Sequence, residues 1–153
     1  MYTTLKLLHT SERNQIYAHK KPGVGVGVIV IYNDKVLFGK RKNILGEGMW
    51  GFPGGRLEYG ESWEECARRE VMEEAGITIK NLRFATATNN VFINEDVHYV
   101  TIFMLAEYAT GTLRVMEPEK CEEWRWSSWN DPPQPLFCPN DNPIHSGYNP
   151  FYK

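Results

Sequence analysis

The stretch from Ser62 to Gly76, SWEECARREVMEEAG, constrains this chain more than any other. Ser62 followed by Glu65 has capping-box spacing, Glu64 and Glu65 suit the positive end of a helix, and Gly76 sits where a helix stops. A helix is therefore predicted between them. With Glu70 set at 0° and about 100° per residue, Trp63 falls at about +20°, Cys66 at about −40°, Ala67 at about +60°, Glu73 at about −60° and Glu74 at about +40°. Three carboxylates thus share the face that the apolar residues mark as inward. A merely solvated acidic face should lie opposite Trp63 and Ala67, whereas Glu70 and Glu74 continue their stripe. Like charges four residues apart repel by roughly 0.2 to 0.5 kcal/mol even when exposed, so a compensating cation is expected. Hard carboxylate oxygens favour magnesium or manganese over zinc.

The other elements follow from shorter signals. VGVGVIVIY from Val24, the Asn33-Asp34 pair, and KVLFGKR from Lys35 read as two strands around a turn. Gly23, Gly25 and Gly27 lie inside the first strand rather than between a strand and a helix, so a dinucleotide fingerprint is rejected in favour of close backbone approach. Residues 42–61 are glycine-rich and predict loops with a short extended piece around Trp50 to Phe52. Further strands are predicted over Ile77 to Phe92, with a break at Lys80-Asn81, then over His98 to Tyr108 and Trp124 to Trp129. Pro139 and Pro143 limit any helix between Leu136 and His145 to a short one. The fold class is α+β, a mixed or antiparallel sheet with one clear helix. Residues 1–21 form an N-terminal arm ahead of one domain over residues 22–153.

Read on from Gly55, the chain fills the pattern G-x5-E-x7-R-E-U-x-E-E-x-G-U, with U aliphatic, at Gly55, Glu61, Arg69, Glu70, Val71, Glu73, Glu74, Gly76 and Ile77. That pattern is the Nudix box, and the chain strongly resembles a Nudix hydrolase. The resemblance implies an α/β/α sandwich with a central mixed sheet, dependence on Mg2+ or Mn2+, and hydrolysis of a nucleoside diphosphate linked to another group. It also implies Glu70, Glu73, Glu74 and the Gly54 carbonyl as metal ligands, with Arg69 orienting the glutamates. Glu61 is a supporting residue or a base, and Glu119 in MEPEK is a candidate additional metal ligand. Arg41 and Arg56 flank the glycine-rich loop and could bind phosphate oxygens, although a plain surface role is as good a reading for each.

Outside the box, PGVGVGVIV, LFGKRK, HYVTIF, MEPEKCEEWRW, PLF and GYNPF are similar to the small eukaryotic-type diphosphatases of oxidised or ordinary nucleoside triphosphates, over roughly Pro22 to Phe151. A plant member of that group also hydrolyses geranyl diphosphate. The resemblance implies that Arg41 touches phosphates and that Thr101 and Phe137 lie near the base. Those relatives have a Trp after Leu-Phe, where this chain has Cys138, which removes a large stacking surface. The ADP-ribose branch would show a proline near Phe92 and the diadenosine-polyphosphate branch a tyrosine near Ile93 to Glu95; neither stands there. Nucleoside triphosphates cleaved to monophosphate and pyrophosphate are the favoured substrates. The alternatives are another diphosphate, such as ADP-ribose or a prenyl diphosphate, and a catalytically weak binding module of the same fold. The intact glutamates argue against the last.

Composition narrows the partners. A net charge of −2 provides no general positive surface for a nucleic-acid polymer. The segment from Met1 to Lys21 has no signal-peptide apolar region, and no run is long enough to span a membrane. Cys66, Cys121 and Cys138 show neither a CxxC pair nor zinc spacing, so reduced thiols in a cytoplasmic protein are expected. The 5 tryptophans and 8 tyrosines exceed what one small core must hold, and the resembling proteins are homodimers. A homodimer is predicted.

Overall fold

The computed structural model describes residues 20–138 and 142–152, so most of the arm expected over residues 1–21 lies outside the described residues. The chain opens with a hairpin of β1 (Gly23–Tyr32) and β2 (Lys35–Arg41). Its two turn residues, Asn33 and Asp34, have φ of 49° and 58°. That left-handed pair matches the twist of the flanking strands and is tolerated best by Asn, Asp and Gly. β3 (Trp50–Gly51) and β4 (Gly54–Arg56) are short, and α1 (Trp63–Ala75) follows. Then come β5 (Ile77–Phe92), β6 (Val97–Gly111), β7 (Cys121–Ser127) and a 3-10 turn over Pro143–His145. That single turn takes the place of the short helix expected before His145.

The strands form one seven-stranded sheet with the path β3-β2-β1-β6-β5, to which β4 adds on β1 and β7 on β2. β1 and β6 run parallel, and the other pairs run antiparallel. The sheet is therefore mixed, as expected. Alternate residues of its central strands feed two cores, as a period of two requires. Val26, Val28, Val30, Leu37 and Met104 pack on one face with Cys66, Ala67, Val71 and Ala75 of α1. Ile29, Val36, Phe38 and Leu105 pack on the other with Trp50, Trp129 and Leu136, and Ile144 and Tyr148 of the C-terminal segment close over them. The layering is that of the α/β/α sandwich.

Two details differ from expectation. Two of the three glycines of β1 accommodate aromatic side chains, a Cβ at Gly23 or Gly27 lying 2.6 Å from the Tyr99 or Phe103 ring of β6, whereas Gly25 faces backbone as expected, at the Gly55 carbonyl. The break expected at Lys80-Asn81 is a bulge within a continuous β5, where Asn81 has φ 53° and the pairing with β6 shifts between Lys80 and Arg83.

Candidate active site

The local sequence of α1 accounts for where its carboxylates go. Glu65 N–H donates to Ser62 Oγ at 3.1 Å, Ser62 N–H donates to Glu65 Oε2 at 2.7 Å, and Gly76 closes the helix in the left-handed region at φ 70°. These caps fix the first and last turns. The buried face is Cys66, Ala67, Val71 and Ala75. Trp63 does not belong to it: its side chain is exposed, with its ring 6.0 Å from that of Phe84. The small side chains let α1 lie close on the sheet, and the bulky first-turn indole is left at the rim. Glu70 and Glu74 then border the buried face instead of continuing it. Glu70 is 13% exposed at its side chain, while Glu73 is 52% exposed.

β4 runs beneath these carboxylates, and two glycines make that approach feasible. Gly54 has φ 155°, and a Cβ there would run into the Val26 carbonyl of β1. A Cβ on Gly55 would stand in the space of the Glu70 carboxylate, at 2.6 Å from its Oε2. The Glu70 carboxylate therefore rests on the bare Cα of Gly55.

Arg69 gathers the acidic groups around it. Its Nε and Nη2 donate to the two oxygens of Glu61 at 2.6 and 2.9 Å, and its Nη1 donates to Glu70 Oε1 at 2.6 Å and Glu73 Oε2 at 3.3 Å. Nη2 also donates to the Arg56 carbonyl at 3.2 Å. The bidentate pairing holds the Glu61 carboxyl down to about 2 and raises Arg69 further above its usual range. Glu74 moves the other way. Burial raises its carboxyl well above the ordinary range, with the Glu70 and Glu117 charges adding to the effect and the Gly54 N–H opposing it. Among the described residues no three His, Cys, Asp or Glu side chains converge as a ligand set, and Arg69 stands among Glu61, Glu70 and Glu73.

A cavity of about 270 Å³ opens beside this network. Glu70, Glu73, Glu74, Gly54, Arg41 and Arg56 all line it. Arg41 is half-buried: its Nε donates to the Leu45 carbonyl at 2.6 Å and its guanidinium lies 4.0 Å from the centre of the Phe137 ring. Arg56 is exposed and donates to the Tyr99 hydroxyl at 3.0 Å. Thr101, Phe137, Glu61, Arg69 and Glu119 are not on the cavity wall. Thr101 pairs with Gly25 at the centre of the sheet. Phe137 stacks near-parallel on Phe92 with centroids 5.9 Å apart. Glu119 is exposed, and its carbonyl accepts from Asn43 Nδ2 at 3.1 Å. The carboxylate of that loop that faces the cavity is Glu117, because the turn at residues 118–120 points Glu119 outward. Sequence reasoning also passed over Lys40, Lys120 and Trp124, which line the same space. Their signal was faint: Glu117 and Lys120 form an i,i+3 ion pair at 3.2 Å inside an otherwise ordinary charged loop.

A capped helix thus lays two glutamates over a glycine strand of a mixed sheet, beside a cavity lined by glutamates and cations alike, the arrangement expected of a Nudix box. The chain belongs to the Nudix hydrolase family: the family model described as "NUDIX domain" matches residues 21–147. Within the family it is similar to an oxidized purine nucleoside triphosphate hydrolase of Danio rerio, 35% identical over 108 residues, covering 68% of this chain and 63% of that protein. It is also similar to the NAD-capped RNA hydrolase NudC of Pseudomonas syringae pv. syringae, 36% identical over 109 residues, covering 71% of this chain and 37% of that protein. The chain thus spans less than two thirds of the length of these relatives. A crystal structure of a MutT NUDIX hydrolase from Burkholderia pseudomallei superimposes with a TM-score of 0.74 and 32% identity, covering 78% of this chain and 92% of that one.

Proposed function

We propose that this protein hydrolyses nucleoside triphosphates to the monophosphate and pyrophosphate, with Mg2+ or Mn2+ as cofactor. The observation that carries the reading is the cavity itself, where Glu70 and Glu74 line one small space together with Lys40, Arg41, Arg56 and Lys120. A polyphosphate needs both sets of groups: cations for its oxygens, and an anionic seat for the divalent ion that accompanies it.

The residues present fit such an ion. Two half-buried carboxylates repel one another, Glu74 holds its proton unusually tightly, and a Cβ would fill the cradle at Gly55 in which Glu70 rests. A divalent cation would replace the proton on Glu74 and offset the negative charge of both groups. Glu70 and Glu74 would hold it, with Glu73 and the Gly54 backbone beside them and Glu117 close to Glu74 on the cavity wall. Held there, such an ion would neutralise charge at the diphosphate and would make hydroxide available near neutral pH. Arg69 keeps Glu70 and Glu73 in place with its Nη1 while Glu61 accepts from its Nε and Nη2, so Glu61 is a positioning residue whose low affinity for protons makes it a poor base. Arg41, with its Nε fixed by the Leu45 carbonyl and its plane against Phe137, presents the rest of its guanidinium to phosphate oxygens.

The nucleotide reading draws on the similarity to the Danio rerio hydrolase and on the motif resemblance that runs beyond the box. The NudC relatives favour a second reading, cleavage of the diphosphate in an NAD cap. One panel separates them: canonical dNTPs, oxidised dGTP, ADP-ribose, geranyl diphosphate and an NAD-capped oligonucleotide at equal concentration, compared by kcat/KM. A triphosphate should lead. A lead of more than about tenfold by any other substrate, roughly 1.4 kcal/mol of transition-state preference, overturns the nucleotide reading.

A further inference from the structure

The last turn of α1 presents a physical problem that the chain has to solve. It carries Glu73 and Glu74 at the negative end of the helix dipole and contains no basic residue. A lysine or arginine there would relieve the charge, but it would also pair with the carboxylates and compete with any metal. Neutral donors from elsewhere are found instead. The Glu74 carbonyl accepts from Trp124 Nε1 of β7 at 3.2 Å and from Met116 N at 3.1 Å, and the Ala75 carbonyl accepts from Arg114 N at 3.0 Å.

Trp124 differs from the other two donors because its ring is held from a second side. Gly39 of β2 pairs with it across the sheet, and a Cβ on Gly39 would lie 2.6 Å from the indole Cζ3. The indole thus lies against the bare Cα of Gly39 with its N–H donating to the helix end, and both residues line the cavity. The path from sheet to Glu74 is short: Gly39, the indole, one hydrogen bond, and the backbone of the glutamate itself.

Resting on the metal-dependent reading above, we infer that Trp124 is a positioning residue: its indole N–H, seated on Gly39, holds the backbone of Glu74 so that the carboxylate is set for a divalent ion. A tryptophan that only fills space would contribute to stability without altering metal affinity. The N–H cannot ionise and so satisfies the carbonyl without bringing a competing charge.

The test is Mn2+ binding to the full chain without substrate, read from the free-ion EPR signal, in wild type, Trp124→Phe, Gly39→Ala and Glu74→Gln. Near-UV circular dichroism identifies the folded variants. Trp124→Phe keeps a ring and loses the donor; Gly39→Ala keeps the donor and pushes the ring off its seat. Each should weaken Mn2+ binding about tenfold, and if one variant does not fold the other decides. Lower melting temperatures with Mn2+ affinity within twofold of wild type would overturn the role of Trp124. Wild-type affinity in Glu74→Gln would overturn the metal reading itself, so the two failures are distinct.

Discussion

Gly55→Ala separates the chemistry of the site from the stability of the fold. Gly55 lies outside the left-handed region, so its backbone accepts alanine without strain. The added methyl instead meets the Glu70 carboxylate, with Oε2 2.6 Å away where ordinary contact begins near 3.4 Å. The carboxylate must retreat by about 1 Å, and because it is the far end of a flexible side chain the fold should lose no more than about 1 kcal/mol. A displacement of about 1 Å in a catalytic constellation costs on the order of 10²-fold, or about 2.7 kcal/mol at the transition state. The assay is pyrophosphate release from a nucleoside triphosphate in Mg2+, alongside a thermal melt. Expected is a kcat about 10²-fold lower with Tm shifted by only a few degrees. Activity within twofold of wild type, with the protein folded, would refute the placement of Glu70.

Three further outcomes are expected, two from the same geometry and one from the aromatic content of the chain. Glu74→Gln should raise Tm at pH 7 in EDTA and abolish turnover in Mg2+; the first follows because a carboxyl whose proton affinity is raised on folding costs stability as pH rises above its unfolded value near 4.5, and an unchanged or lower Tm would contradict its burial. Glu61, held down to about 2 by Arg69, contributes stability that is present above about pH 4.5 and is lost as pH falls toward 2, so acid melts of Arg69→Gln should be flatter than wild type over that window. Light scattering at micromolar concentration should give the mass of a homodimer, and a monomeric mass would remove that expectation.

The helix was legible because its signals are local: Ser62, Glu65 and Gly76 act within one turn of where they stand. The hairpin was legible for the same reason at Asn33 and Asp34. What the sequence hid was set by contacts across the sheet. Periodicity put Trp63 on the inward face, but it could not show that small residues bring α1 close enough to leave the indole outside. MEPEK holds two glutamates two positions apart, and only the loop's path decides that Glu117 faces the cavity and Glu119 faces solvent. Phe137, expected near a base, lies against Arg41 and Phe92, contacts 96 and 45 positions distant in the chain. The backbone approach expected at the β1 glycines is met at Gly25, but at Gly23 and Gly27 the approaching groups are rings of a parallel strand that no local pattern reveals.

The central claim is that the cavity over Gly55 cleaves a diphosphate linkage with a divalent ion seated on Glu70 and Glu74. Phosphorus NMR of dGTP hydrolysis tests it directly, run with the wild-type chain in Mg2+, with wild type in EDTA, and with Glu74→Gln in Mg2+. The account predicts dGMP and pyrophosphate in the first sample and no products in the other two. Equal product formation in EDTA or in Glu74→Gln, or release of orthophosphate in place of pyrophosphate, would contradict it.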